Sequence, residues 1–311
     1  MKNSAITKFQ FSSSDYDEFG SLLEIAHLDQ KILESGAFIG NAHFIRTKHV
    51  TLLDFYTNRK VLQQGTAAPG YLIFTIWEPN TLFTWRNIEM KTGMIGIVWN
   101  REHQSVSGSN FRGIPISIEE NYFMKLCIEK GFSELVNILK KKEVLHVPET
   151  QLKEIRNLIY FIFLHNSFDD NSLEQRIEQE LMDLLIRCMG SSLQNKSRIG
   201  HTRIKMNLVM DYIHDNLSSL TSLHQVVDGT NIPERTLRRL ITSKYQISPK
   251  QFLNRLRLNE VRKALILDKN NSNIYQIAND YNFWHRGQFS KDYKRLFREL
   301  PSDTLSKLIS S

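Results

Sequence analysis

Arg235, Arg238 and Arg239 stand at i, i+3 and i+4. On a helix this spacing gathers three guanidiniums on one face and leaves Leu237, Leu240 and Ile241 on the other. A guanidinium is a planar fork of N–H donors that matches the O6/N7 edge of guanine, and its charge suits phosphate. A second set, Arg286, Gln288 and Lys291, lies opposite Phe289, Tyr293 and Phe297. It is less basic, so it is expected to depend more on phosphates and groove shape than on base edges. One arginine alone fits a solvated surface equally well; three on the outer face of one short amphipathic segment point to a polyanion.

Such a reading face needs a second helix behind it and a tight turn between the two. The key turn residue must accept the left-handed conformation, which asparagine tolerates better than other residues bearing a Cβ. The segment Val226-Val-Asp-Gly-Thr-Asn-Ile-Pro-Glu-Arg235 and the segment Ile277-Ala-Asn-Asp-Tyr-Asn-Phe-Trp-His-Arg286 align without a gap at an offset of 51 residues. In each, an apolar pair precedes the asparagine by four or five positions, an apolar residue follows it, and arginine sits four positions on. Pro233 suits the first turn of the second helix, where its missing N–H costs nothing. Between the units, Phe252, Leu256, Val261 and Leu265 within Pro249 to Leu267 predict one rigid connecting helix.

The stretch from Ile247-Ser-Pro-Lys-Gln-Phe252 to Ala264-Leu265, with Ile277-Ala278, Phe289-Ser-Lys-Asp-Tyr-Lys-Arg-Leu-Phe297 and Leu300-Pro301-Ser302, resembles the AraC/XylS family of bacterial regulators over about residues 203 to 308. The resemblance implies a sequence-specific transcriptional regulator whose two units enter successive major grooves from one face of double-stranded DNA. It places reading residues at Arg235, Arg238, Arg239, Arg286, Gln288 and Lys291. It also implies RNA polymerase, a small-molecule effector and a second copy of the chain as partners. Three positions depart from the family: Asn231, Asn282 and Arg298 stand where glycine is usual or frequent. A regulator without a small-molecule ligand and a less specific, nucleoid-type binder remain the alternatives.

The preceding part reads differently. From about 37 to 118, alternation such as Leu72, Phe74, Ile76 and Ile95, Ile97, broken by Pro69-Gly70, Glu78-Pro79-Asn80 and Lys91-Thr92-Gly93, predicts short strands. From 119 to 190 the period becomes helical, as in Leu152, Ile155, Leu158, Ile159 and Ile162. The predicted fold is α+β: a β-barrel or cupin-like domain followed by helices (1–190), a polar linker (191–200), and an all-α domain of two helix-turn-helix units joined by a long helix (201–311). Leu28-Asp-Gln-Lys-Ile-Leu-Glu-Ser-Gly-Ala-Phe-Ile-Gly40 more loosely resembles sensor domains of family members that control ethanolamine and amino-acid catabolism. If that domain holds an effector, His43, Arg46, Trp77, Phe83 and Trp85 are the candidate lining, with core packing as the competing role for each.

Charge follows the same division. Residues 191–311 carry 20 Lys and Arg against 10 Asp and Glu, whereas residues 1–190 carry 20 against 23, so the basic excess of the whole chain, +7, belongs to one end. Concentrated cations there favour phosphate neutralisation with counterion release. Only Cys127 and Cys188 occur, without Cys-x-x-Cys spacing, and His27, His43, His49 and His103 form no His-x-His pair. No metal site, no cofactor and no enzymatic activity are therefore expected. No apolar run of membrane-spanning length and no signal-like start occur, so a cytoplasmic protein without a membrane partner is expected.

Overall fold

The computed structural model describes residues 7–21, 26–79, 81–164, 171–191, 201–267 and 273–307. The described residues divide into two compact units, one within 1–30 and 38–197, the other within 31–37 and 198–311. The expected linker, 191–200, lies outside the described residues beyond Ser191.

The first unit is built from strands β1 (Thr7–Ser13), β2 (Ala26–Ile32, whose last two residues, Lys31 and Ile32, belong to the second unit), β3 (Gly40–Arg46), β4 (Val50–Thr57), β5 (Val61–Ala67), β6 (Tyr71–Trp77), β7 (Phe83–Trp85), β8 (Ile88–Glu89), β9 (Met94–Trp99), β10 (His103–Ser107), β11 (Phe111–Glu119) and β12 (Val144–His146). A short helix α1 (Tyr16–Ser21) follows β1. Helices α2 (Glu120–Glu129), α3 (Ser133–Leu139), α4 (Glu149–Leu164) and α5 (Asn171–Gly190) follow the last long strand. The strands form a seven-stranded sheet, β1-β3-β4-β11-β6-β9-β12, and a five-stranded sheet, β2-β5-β10-β7-β8.

Alternation along the central strands decides what each face covers. Leu52, Leu72, Phe74, Ile76, Ile95, Ile97, Ile114, Ile116 and Ile118 share one core with Phe123, Leu135, Ile155, Ile159, Leu181 and Leu185 from the helices. The residues between them, including Leu53, Ile73, Thr75 and Val98, line a cavity with side chains of the five-stranded sheet. Central strands buried on both faces need apolar residues at nearly every position, and β6 and β9 have them. At Gly96 an added Cβ would stand 2.7 Å from the ring of Trp85, so the missing side chain is what admits that indole.

The α+β class expected from sequence stands, but the strands form two open antiparallel sheets instead of a closed barrel. Closure would require the terminal strands to pair, whereas β1 and β12 end one sheet, and β2 and β8 the other. Strand structure also begins earlier than residue 37, at Thr7 and Ala26. Cys127 and Cys188 are buried, unbridged thiols, both pushed up to about 12 by burial.

The second unit is helical beyond residue 200: α6 (His201–Asn216), α7 (Leu223–Thr230), α8 (Glu234–Tyr245), α9 (Pro249–Leu267), α10 (Ile274–Asp280), α11 (Arg286–Phe297) and α12 (Pro301–Lys307). The long helix α9 is its centre. Phe252, Leu253, Leu256, Leu258, Val261 and Leu265 are all buried, as are Arg257, Asn259 and Arg262. A helix buried around most of its girth must partner its polar groups. Accordingly Arg257 donates to Leu220 O, and Arg262 donates to Glu299 and to Thr304 Oγ1 while stacking 4.8 Å over Phe297.

Candidate nucleic-acid interface

Helices α7 and α8 form the first helix-turn-helix. The start of α7 is fixed by Gln225 Oε1, which accepts the backbone N–H groups of Thr221 at 2.7 Å and Ser222 at 3.1 Å. Asn231 closes α7 in the left-handed conformation (φ 53°, ψ 28°). Ile232 then turns inward, 3% exposed. Pro233 (φ −54°, ψ 140°) is the capping residue of α8, one place ahead of the first-turn position expected for it. Leu237, Leu240, Ile241 and Tyr245 are buried, while Arg235, Arg238 and Arg239 are exposed on the outer face. Arg238 is drawn back along the helix by Glu234, with Nε and Nη2 at 2.7 and 2.5 Å from Oε1. An exposed pair of this kind holds a side chain only weakly, so Arg238 can exchange its partner for phosphate or guanine.

Helices α10 and α11 form the second. Asn282 adopts the same left-handed conformation (φ 68°), and Phe289, Tyr293 and Leu296 are buried behind exposed Arg286, Gln288 and Lys291. The guanidinium of Arg286 lies 4.6 Å over the ring of Tyr275, which holds it against α10. Trp284, just before α11, is 67% exposed. Arg298, at the end of α11, is also left-handed (φ 66°) and its N–H donates to Lys294 O. All three positions that depart from glycine thus retain the conformation for which glycine is usual.

The two units are joined by more than α9. Asn282 Nδ2 donates to Ser218 O at 2.7 Å and to Leu220 O at 3.2 Å, so the turn of the second unit grips the segment leading into α7. The sequence repeat marks Asn282 as a turn residue and carries no sign of this use of its amide.

Helix-turn-helix domains as a family match residues 226–307. The XylDLEGF operon transcriptional activator of Pseudomonas putida is 34% identical over 130 residues, covering 42% of this chain and 39% of that protein. The HTH-type transcriptional activator RhaS of Escherichia coli O1:K1 / APEC is 26% identical over 159 residues, covering 50% and 55%. The C-terminal region is an AraC-type helix-turn-helix domain. The chain spans between about two fifths and a little over half the length of these relatives. A solved structure, the AraC-like transcriptional activator CuxR, matches 81% of this chain and 94% of that one at 12% identity with a TM-score of 0.44.

Outside the AraC-type domain, the first unit holds a cavity with about 490 Å³ of space between atoms, part of it open to solvent. Of the five residues expected to line a ligand site, Phe83 and Trp85 line this cavity. Trp77 does not; it is buried with its ring centroid 5.4 Å from that of Phe83. Register removes His43, which pairs with Asp54 on the face opposite Leu53 and Phe55 and approaches Phe163 of α4. Arg46 is exposed at the end of β3. The polar lining that sequence reasoning missed is Gln63, Thr75, His103 and Ser105, none of them formally charged at neutral pH.

His103 stacks on Trp85 at 4.9 Å and 20°. Burial, opposed by the bond to Gly65 O and reinforced by the charge of Arg86, pushes the imidazole down to about 4. The neutral ring therefore donates from Nδ1 to Gly65 O at 3.0 Å and keeps Nε2 as an acceptor. Trp85 Nε1 is buried without a hydrogen-bond partner. Among the described residues no three His, Cys, Asp or Glu side chains group as a metal would require, and no helix is long and apolar enough to cross a membrane.

Proposed function

We propose that the protein is a DNA-binding transcriptional regulator whose two helix-turn-helix units read adjacent major grooves. One observation carries this: two left-handed asparagine turns at an offset of 51 residues each set an exposed cationic or amide-bearing helix face beside a buried apolar one. Arg235, Arg238 and Arg239 supply the principal base contacts of one box, and Arg286, Gln288 and Lys291 meet the other. Helix α9, 19 residues long, spans ~28 Å at 1.5 Å per residue, a length suited to bridging grooves one helical turn apart. Both curated relatives are described as activators, so activation through RNA polymerase is the polarity we assign.

The cavity of the first unit gives the effector reading its chemistry. Its aromatic walls, neutral His103 and unbonded Trp85 N–H suit an uncharged, largely apolar molecule that offers an acceptor to the indole. Footprinting of the full chain tests the central reading. Two unlike boxes centred ~10 bp apart per chain are expected, persisting in excess competitor DNA. A single box per chain, or binding abolished by competitor, would overturn it in favour of a less specific binder.

A further inference from the structure

The second unit contains chain that no helix-turn-helix calls for. Residues Lys31–Ala37 belong to it, although Ile32 and its partner Asn259 are 227 positions apart. The Ile32 N–H donates to Asn259 Oδ1 at 2.9 Å, and Asn259 Nδ2 donates to Ile32 O at 3.0 Å. One carboxamide thus meets both polar groups of one residue, as a neighbouring strand would. Nδ2 also donates to Arg255 O at 2.7 Å, which fixes the orientation of the amide. On either side, Lys31 pairs with Glu260 and Arg255 donates to Leu33 O.

The paired bonds between Ile32 and Asn259 are buried: Lys31 and Asn259 are 5% and 6% exposed, Ile32 and Leu33 2% and 0%. Burying an ammonium and a carboxamide is costly unless their partners are in place, so the two sides are matched. The contacts reach toward the second reading unit as well. Glu34 and the α11 residue Arg295 both act electrostatically on Arg255. Lys31 and Glu260 both act on Tyr281, the residue before the second turn.

We propose that Lys31–Ala37 is a positioning strap, held by Asn259, which sets the spacer helix so that the second reading unit meets its groove in register with the first. This rests on the DNA-reading function above. The test uses the full chain, Asn259→Ala and Lys31→Met, each titrated onto DNA bearing both footprinted boxes and onto DNA bearing only the box read by α8. Each variant should bind two-box DNA at least tenfold more weakly, with less than a twofold change on single-box DNA. The variants alter opposite sides of the contact, so one that failed to fold by circular dichroism would leave the other to decide. Equal losses on both DNAs, or none on two-box DNA, would overturn the strap. Failure of the unaltered chain to bind either DNA would instead overturn the DNA-reading function.

Discussion

Individual side chains in this protein divide into exposed cations proposed to meet DNA and polar groups held in burial. Among the first, replacing Arg235, Arg238 or Arg239 by Ala should cost ~1 to 3 kcal/mol and relax preference at one position if that arginine reads a base, and weaken all sequences alike if it holds phosphate. Affinity measured on a panel of single-base variants separates the outcomes, and intact preference in all three substitutions would refute the assignment of α8. Among the second, His103 is held neutral at about 4 against 6.5 in the unfolded chain. An unfolded chain therefore takes up a proton between those values that the folded chain refuses, and stability must fall as pH drops from 6.5 towards 4. The loss is on the order of 3 kcal/mol. Thermal melts at pH 7 and pH 4.5 should show a fall that His103→Gln, which can still donate to Gly65 O, largely removes. An unchanged pH dependence in that variant would show that other groups carry it.

The reading helices depend on how closely their neighbours approach. A Cβ added at Gly229 would fall 2.0 Å from Tyr212 of α6, whereas one at Gly287 meets nothing. Gly229→Ala should destabilise the second unit by ~1 to 3 kcal/mol through overpacking, and Gly287→Ala should stabilise it by up to ~1 kcal/mol, as chemical denaturation would reveal. The left-handed positions part in the same way. Arg298→Gly relieves a strained backbone and should raise stability by ~1 kcal/mol. Asn282→Gly also gives up the bonds to Ser218 and Leu220 and should lower it. Equal effects in the two would mean that the amide of Asn282 contributes nothing.

These elements were legible in the sequence because their signals are local. A 3.6-residue period, an asparagine at the turn and a proline at the next helix start all lie within a dozen residues. The cavity lining was half legible. Phe83 and Trp85 share a short strand, but bringing them to Gln63 and His103 depends on pairing of strands distant in sequence, whereas the alternation of Ala42 and Phe44 with Asn41 and His43 already turns His43 away from them. The hold of Asn259 on Ile32 was not legible at all, since asparagine in mid-helix carries no sign of a partner beyond its own turn.

For the molecule as a whole, the division of charge and the division of structure coincide closely but not completely, because Lys31–Ala37 is part of the basic unit. A fragment beginning near residue 199 should accordingly bind two-box DNA less tightly than the full chain at matched salt, even with all six side chains proposed to read DNA present. Equal affinity would mean that the N-terminal residues add nothing to the reading unit. The tryptophans also follow the division. Trp77, Trp85 and Trp99 are buried in the sheets of the first unit, and Trp284 stands exposed beside the second reading helix. Each unit therefore carries its own native fluorophore. Aqueous quenchers should reach the red-shifted emission of Trp284 first and lose that access when DNA covers α11, while a molecule entering the cavity should change the blue emission of Trp85 and leave the red component alone. Without any attached dye, two colours of one spectrum would report which end of the chain has met its ligand.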